Sequence, residues 1–149
     1  AQMCLLNGRK YTVALMKEGE RHFRISSDIG ENAPIPWTAS GRLLLAHLSD
    51  QQIVDLIDPD DFILPDGERL PLERFLAEIR QAGLDGFFSF DSVADTFTHC
   101  FAAPVKHANG VAIATLCIVA PRADAKNNYA DYRRVLIESA NNLARRINE

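Results

Sequence analysis

The feature that most constrains the fold is an Asn-Gly pair, Asn109-Gly110, between two apolar runs in the segment 87–121. Asn-Gly is typical of the tight turns that join antiparallel strands, because both residues tolerate positive φ angles. The segment therefore predicts two buried strands joined by a hairpin. A hairpin also fixes which side chains of the two strands face each other.

Two registers of this hairpin place the same small or soft side chains on one face of the sheet. With a two-residue turn at 109–110, Cys100 lies opposite Val119; with a four-residue loop over 107–110, Cys100 lies opposite Cys117. Only a three-residue loop would separate these side chains. Since the opposite face carries bulkier residues, we expect open space, and hence the wall of a pocket, over Cys100, Ala102, Cys117 and Val119.

The composition is that of an ordinary globular protein with one domain. The chain has 149 residues, of which 47% are hydrophobic and 24% are charged. No apolar run approaches the roughly 20 residues of a membrane span, and the first residues lack a signal-peptide core. We therefore expect a cytoplasmic protein with no membrane partner.

No metal and no cofactor is predicted. The three cysteines have neither zinc-ligand nor disulfide-framework spacing and are expected to be reduced, buried thiols. The four histidines also lack ligand spacing. The turn at Ser40-Gly41 is too short for a phosphate loop and lacks its Gly-Lys-Ser/Thr ending.

Strands and helices are interleaved along the rest of the chain. A hairpin around Asn7-Gly8 and a strand over 21–26 open the chain. A loop over 27–37 follows. Apolar periodicity and capping patterns then predict four helices. The first covers 38–48, with Thr38 or Ser40 as its cap, and the second begins at a capping box at 49–52. The third covers 72–82, with Gly83 at its C-terminal cap, and the last runs from near residue 128 to 147. The sequence thus predicts an α+β fold with a mainly antiparallel sheet.

The chain resembles the C-terminal effector-binding domain of IclR-type transcriptional regulators over residues 3–147. The resemblance rests, in order, on TASGRLLLAHLSDQQ, LERFLAEIRQAGLDGFFSFD and HCFAAPVKHANGVAIATLCIVAP. Its most specific element is Cys-x-Ala-Ala-Pro-Val at 100–105. It implies a GAF-like curved antiparallel sheet flanked by helices, with a closed pocket for a small metabolite.

The resemblance also implies a function without chemistry. Such a domain senses a small organic acid effector and forms a homodimer or tetramer. Operator DNA is bound by an N-terminal winged helix-turn-helix domain, which we expect to be absent from this chain.

The residues predicted to bind the ligand are Ile25, Trp37, Ala39, Ser40, Gly41, Asp91, Phe97, Cys100, Cys117 and Val119. The backbone N–H groups of 39–41 would hold a carboxylate, although the stretch before Gly41-Arg42 is shorter than is usual in the family. The family commonly has two serines where this chain has Cys117 and Val119. Their loss favours a ligand with an apolar or aromatic body.

Alternative interpretations exist for several of these residues. Cys100 and Cys117 fit a plain core, Asp91 fits a turn or cap, and Trp37 fits a core or dimer contact as well as a pocket lid. A second functional hypothesis is a GAF-like, cysteine-dependent redox enzyme. It requires a reactive thiolate, whereas a sensing domain requires inert thiols.

We predict that the chain alone does not bind duplex DNA, because its net charge of -4 is the wrong sign for phosphate backbones. A gel-shift titration at low salt with arbitrary duplex tests this, with a basic DNA-binding domain as the positive control. Non-specific binders reach dissociation constants of about 10⁻⁴ to 10⁻⁶ M. Binding at micromolar or lower concentration would contradict the prediction.

Overall fold

Six antiparallel strands form one curved sheet within the residues that the structure describes. The computed structural model describes residues 1–19, 29–30 and 32–149. The strand order is β3-β2-β1-β6-β5-β4, with bounds β1 Gln2–Asn7, β2 Lys10–Met16, β3 Asn32–Pro34, β4 Phe88–Asp91, β5 Thr98–Lys106 and β6 Ala112–Pro121. Helices cover both faces of the sheet, so the predicted α+β, GAF-like class is confirmed.

The first hairpin forms as predicted, but its turn lies one residue further along the chain. Asn7 pairs with Lys10, so the central turn residues are Gly8 and Arg9. Gly8 has a φ of +62°, a conformation that glycine adopts without steric cost. Residues 32–34, predicted as part of a loop, form β3 and pair with β2. The strand predicted at 21–26 lies outside the described residues.

The turn between β5 and β6 differs from both predicted turns. The N–H of His107 donates to Val111 O at 2.9 Å, and the N–H of Gly110 donates to His107 O at 2.9 Å, so the loop comprises the three residues 108–110. Only Gly110 in this loop has a positive φ, of +87°. Asn109 instead accepts the N–H of Val111 through its side chain at 3.0 Å.

A β-bulge nevertheless restores the predicted shared face. Lys106 pairs with Ala112 but Val105 pairs with Ala114, which leaves Ile113 as the extra residue. The bulge shifts the register by one residue and cancels the effect of the odd loop. Cys100 therefore pairs with Val119 and Ala102 with Cys117, in the register expected for a two-residue turn.

Five helices are found in the described residues. They are α1 Ala39–Leu44, α2 Asp50–Leu56, α3 Leu72–Asp85, α4 Arg122–Asn127 and α5 Tyr129–Ile147. Thr38 caps α1, and Ser49 with Gln52 forms the predicted capping box of α2. None of the described helices has the length and apolarity needed to cross a bilayer.

Two helix predictions need correction, and one helix was not predicted. The α1 helix ends at Leu44, several residues before the end of its apolar stripe. The α3 helix continues past Gly83 and is capped by Gly86, whose φ is +61°. The α4 helix was not predicted, because it is short and buries only Ala125, so it leaves no apolar stripe in the sequence.

The two faces of the sheet carry two separate cores. The face with Cys100, Ala102, Cys117 and Val119, here called the pocket face, packs against α1, α2 and α3. The opposite face, here called the helix face, carries Phe101 and Ala103 and packs against α5. The predicted contrast between a narrow and a bulky face is confirmed.

A buried arginine connects α1 to α3 at the edge of the pocket face. Arg42 is only 2% exposed. Its Nη1 donates to Pro36 O and Thr38 O, both at 2.7 Å, and its Nε lies 3.1 Å from Glu78 Oε2. The guanidinium group therefore ties the chain segment before α1 to the middle of α3.

Three aromatic rings complete the surroundings of this guanidinium group. The ring centroids of Phe75, Phe88 and Phe90 lie 4.8, 5.2 and 5.0 Å from Arg42 Cζ. Burial lowers the pKa of Arg42 to about 10, and Glu78 opposes this shift. Arg42 consequently stays charged at neutral pH.

Replacing Arg42 with alanine should lower the free energy of unfolding by about 3–5 kcal/mol, because Glu78 and two carbonyl groups lose their buried partner. Arg74→Ala is the matched control, since Arg74 pairs with the same Glu78 at 2.9 Å but is 70% exposed. The control should cost less than about 1 kcal/mol. Urea unfolding measures both, and equal losses would refute a special role for Arg42.

Candidate functional site

A cavity of about 120 Å³ lies between the pocket face and the start of α1. It has apolar walls and a polar floor. The described residues that line it are Gln2, Tyr11, Ala33, Trp37, Thr38, Ala39, Ser40, Ser92, Ala94, Cys100, Phe101, Cys117 and Val119. None of these described lining residues is an aspartate, glutamate, lysine, arginine or histidine.

The segment before α1 forms one wall of the cavity. Residues Ile35–Trp37 make a 3-10 turn that leads into the Thr38 cap. The indole N–H of Trp37 donates to Ile63 O at 3.1 Å, which fixes the ring against the segment after α2. Because Arg42 binds the carbonyls on both sides of Trp37, this wall is held from within the core.

The floor is a chain of buried hydroxyl and thiol groups, here called the thiol–hydroxyl cluster: Tyr11, Cys4, Cys117, Ser40 and Thr115. Tyr11 Oη lies 2.8 Å from Cys4 Sγ, which lies 3.8 Å from Cys117 Sγ. Ser40 Oγ lies 2.8 Å from Cys117 Sγ and accepts a hydrogen bond of 2.7 Å from Thr115 Oγ1. All five side chains are buried, and all three cysteines of the chain are free thiols.

Burial keeps most of the titratable groups of the cavity neutral. It raises the pKa of Tyr11 and raises the pKa of Cys100 to about 12. The contact between Cys4 and Cys117 shifts the two thiols in opposite directions. It raises the pKa of Cys4 and lowers the pKa of Cys117, and hydrogen bonds from Ser40 and Thr115 add to the lowering.

Such a cavity suits a small molecule with an apolar body and one polar end. Its volume is close to that of a cavity of about 150 Å³ that takes up benzene, so it matches a single ring. The neutral donors near the floor are the hydroxyls of Tyr11 and Ser40. The N–H groups of Ala39 and Ser40 belong to the first turn of α1, where backbone donors have no partner within the helix.

Six residues assigned from the sequence come together in this cavity. They are Trp37, Ala39, Ser40, Cys100, Cys117 and Val119. Gly41, Asp91 and Phe97 are not among its described lining residues. Phe97 is 56% exposed in the segment before β5. Ile25 lies outside the described residues.

Gly41 faces the 3-10 turn rather than the cavity. Its N–H donates to Thr38 Oγ1 at 3.0 Å and is therefore already used. A Cβ atom at this position would lie 2.5 Å from Ile35 O. The glycine is needed for close packing of the backbone, which corrects its expected role in holding a carboxylate.

Asp91 lies on the helix face, not at the mouth of the pocket. It pairs with His99 in the β4–β5 register, and alternation along β4 places it opposite to Phe90. Its Oδ1 lies 2.8 Å from His99 Nδ1 and 3.5 Å from Arg122 Nε. The hydrogen bond with His99 holds the pKa of Asp91 below its usual range.

Three residues of the site were not predicted from the sequence. Gln2 and Cys4 lie on β1 and Tyr11 lies on β2. Gln2 and Tyr11 line the cavity and Cys4 lies behind it, because β1 pairs with β6, over a hundred residues away. No local pattern indicates such a pairing. The burial of Arg42 was also not predicted, because arginine side chains usually lie at the protein surface.

A second cavity is larger but more open. It has a volume of about 420 Å³ and lies between α1, α3 and the β5–β6 hairpin, where it is lined by Arg80, Lys106 and small or apolar residues. The charged side chains of Arg80 and Lys106 in its lining suit it less well to a small apolar molecule. In the part of the chain that the structure describes, no group of three or more His, Cys, Asp or Glu residues could hold a metal ion.

Comparison with known proteins finds one family model that matches residues 1–148, described as bacterial transcriptional regulator IclR C-terminal. A curated relative is the HTH-type transcriptional regulator TtgV of Pseudomonas putida, which is 29% identical over 157 residues. That alignment covers 97% of this chain and 56% of the relative. The chain thus spans about half the length of the curated relative that it matches.

Two solved structures have a similar fold. The IclR of Thermotoga maritima has a TM-score of 0.83 and 20% identity, over 99% of this chain and 61% of that one. An IclR homologue from Microbacterium hydrocarbonoxydans, solved in complex with 4-hydroxybenzoate, has a TM-score of 0.76 and 19% identity, over 93% of this chain and 56% of that one.

Gly41→Ala should lower the free energy of unfolding by about 1–3 kcal/mol, because the new methyl group has no room beside Ile35. Gly83→Ala is the control, since Gly83 lies inside α3 and its Cβ would meet only Ala46 Cβ at 3.3 Å. Better helix propensity should keep this control within about 1 kcal/mol of the parent. Chemical denaturation compares the two, and an unaffected Gly41→Ala would contradict the packing argument.

Proposed function

This chain belongs to the IclR family of bacterial transcriptional regulators, as the C-terminal effector-binding domain, and we propose that its cavity binds a small aromatic carboxylic acid. The observation that carries the proposal is the cavity between the pocket face and α1, whose described lining residues carry no charged side chain. The family match makes an effector pocket the natural use for it. The single-ring volume and apolar walls favour a benzoate-like body.

The acid group would lie at the Ala39–Ser40 end of the cavity. The first-turn N–H groups there carry partial positive charge, and the hydroxyls of Tyr11 and Ser40 are close to the same floor. No cation is needed, because several neutral donors can replace the water around a carboxylate. The ring would pack against Trp37, Cys100 and Val119.

A solved relative supports this ligand class. The Microbacterium hydrocarbonoxydans homologue is a complex with 4-hydroxybenzoate, a single-ring aromatic acid. Its identity to this chain is 19%, so the comparison suggests the type of ligand and not the particular one. The chemistry of the cavity described above points to the same class independently.

We propose that the domain performs no catalysis. A cysteine-dependent redox enzyme built on Cys100 would need a thiolate at neutral pH, but burial raises the pKa of Cys100 to about 12. This argues against an enzyme built on Cys100.

Binding would act on gene regulation through assembly of the whole protein. In this proposal the domain forms a homodimer or tetramer, and operator DNA is bound through the N-terminal domain of the full-length regulator. The effector would shift the relation between protomers by binding one arrangement better than another. The affinity of the full-length regulator for its operator would then change by the ratio of the effector's affinities for the two arrangements.

Cys100→Trp should reduce the affinity for 4-hydroxybenzoate by at least about tenfold, because the indole would fill the cavity. Ile113→Trp is the control, since Ile113 is 43% exposed at the bulge of β6. Isothermal calorimetry compares the affinities for benzoate and 4-hydroxybenzoate with the affinity for phenol, which lacks the carboxylate. Circular dichroism checks that the variants keep the fold. Unchanged binding in Cys100→Trp would place the pocket elsewhere, and a preference for phenol would overturn the carboxylate.

Val119→Ser should shift the preference toward smaller and more polar acids, since it restores a hydroxyl on the pocket face. The ratio of the affinities for lactate and benzoate, measured by calorimetry, should rise relative to the parent. A ratio that stays constant would mean that Val119 does not contact the ligand.

A further inference from the structure

We propose that Cys117 is an oxidation site inside the effector cavity, at which hydrogen peroxide forms a disulfide with Cys4. Ligand binding alone does not explain why two thiols lie in contact beneath this cavity. The effect of oxidation on the ligand rests on the proposed function, whereas the oxidation itself does not.

The geometry places one thiol in the cavity and the other directly behind it. Cys117 lines the cavity on β6 and is 5% exposed, and Cys4 on β1 is fully buried. The two sulfur atoms are 3.8 Å apart, close to van der Waals contact. Peroxide is little larger than water and fits the space of about 120 Å³ beside Cys117.

The surroundings of Cys117 favour its thiolate over that of the other cysteines. Ser40 Oγ lies 2.8 Å from Cys117 Sγ and can donate its proton to the sulfur, while the Thr115 hydroxyl, 3.5 Å from the same sulfur, donates to Ser40 Oγ. The contact with Cys4 lowers the pKa of Cys117, burial of the thiol opposes this shift, and the neighbouring hydroxyl groups add to the lowering. Cys100 also lines the cavity, but burial raises its pKa to about 12 and leaves it as an inert thiol.

The reaction has two steps and needs only peroxide. The Cys117 thiolate attacks one peroxide oxygen, so an S–O bond forms, the O–O bond breaks, and the leaving hydroxide takes up a proton to become water. The Cys4 sulfur then attacks Cys117, so the S–S bond forms, the S–O bond breaks, and the proton of Cys4 leaves with the hydroxide as a second water. Both sulfurs are oxidised by one electron each and the peroxide is reduced to two waters.

The new bond requires the backbone around Cys4 to move, because Cys4 pairs with Thr115 and Gln2 pairs with Cys117, so the two cysteines are diagonal neighbours and not a directly opposed pair. A disulfide requires the sulfurs to approach to about 2.05 Å. The ladder between β1 and β2 is irregular between Met3 and Cys4, and the pairing of β1 with β6 is confined to Gln2–Cys4. Cys4 is therefore at the end of one ladder and at the irregular step of the other, where a small displacement breaks few hydrogen bonds.

Oxidation and effector binding should exclude each other. The disulfide would draw Cys117 away from Ser40 and alter the floor on which the ligand rests. By linkage, a ligand that binds the reduced form more tightly also protects it from oxidation. The domain would then report both on an organic acid and on an oxidant.

The test treats the 149-residue chain with hydrogen peroxide without any ligand and maps the thiols by alkylation and mass spectrometry. We expect loss of two hydrogen atoms, a peptide that links Cys4 to Cys117, and a free Cys100. Cys4→Ala should stop at a sulfenic acid on Cys117 that dimedone traps, and Cys117→Ala should not react. Cys100→Ala is the matched control and should oxidise like the parent.

A second arm measures the coupling to the cavity. Calorimetry with 4-hydroxybenzoate on the oxidised and reduced chain should show at least about a tenfold lower affinity after oxidation, reversed by dithiothreitol. Three free thiols after peroxide treatment, or oxidation first at Cys100, would overturn the oxidation site even if the ligand binds. Oxidation at Cys117 without binding by the reduced chain would instead contradict only the proposed function and the coupling.

Discussion

A charge buried where water cannot reach it holds the wall of the cavity in place. The guanidinium group of Arg42 is stable inside the protein only because Glu78, two backbone carbonyls and three phenyl rings surround it. Those carbonyls belong to Pro36 and Thr38, which flank Trp37. The buried charge requires hydrogen-bond partners, and the carbonyl groups that supply them fix the position of the cavity wall. The same hydrogen bonds of Arg42 fix the segment that leads into α1.

The opposite wall is determined by sheet geometry. The register of β5 and β6 gathers short side chains on the pocket face, so space remains that longer side chains would fill. The pairing of β1 with β6 then brings Cys4 beneath this space and Tyr11, on β2, beside it. The result is a cavity with an apolar wall, a neutral polar floor and no acidic or basic side chain among the described lining residues.

The two faces of the sheet divide the polar chemistry of the domain. The thiol–hydroxyl cluster lies on the pocket face, where a buried charge is tolerated only when it is fully partnered, as that of Arg42 is. The groups Asp91, His99 and Arg122 lie together on the helix face, where Asp91 is 61% exposed. A ligand in the cavity would thus meet uncharged donors, and its own charge would be the main one to accommodate. Under the proposed function, this arrangement holds an acid with no lysine or arginine among the described residues that line the cavity.

Short-range patterns in the sequence encode much of the fold. The hairpins, the capping box at Ser49 and Gln52, the long final helix and the α+β class all follow from neighbouring residues, and so does the prediction of a shared face for Cys100 and Cys117. That prediction is correct for an unexpected reason, since an odd loop and a bulge cancel, and both devices depend on packing rather than on a local motif.

Long-range contacts fix what these patterns leave open. The pairing of β1 with β6, the burial of Arg42, the packing role of Gly41 and the place of Asp91 on the helix face have no signature in the neighbouring sequence. Each depends on contacts between elements of the assembled sheet and its helices. The energies of those contacts arise only when the whole sheet has closed around its core.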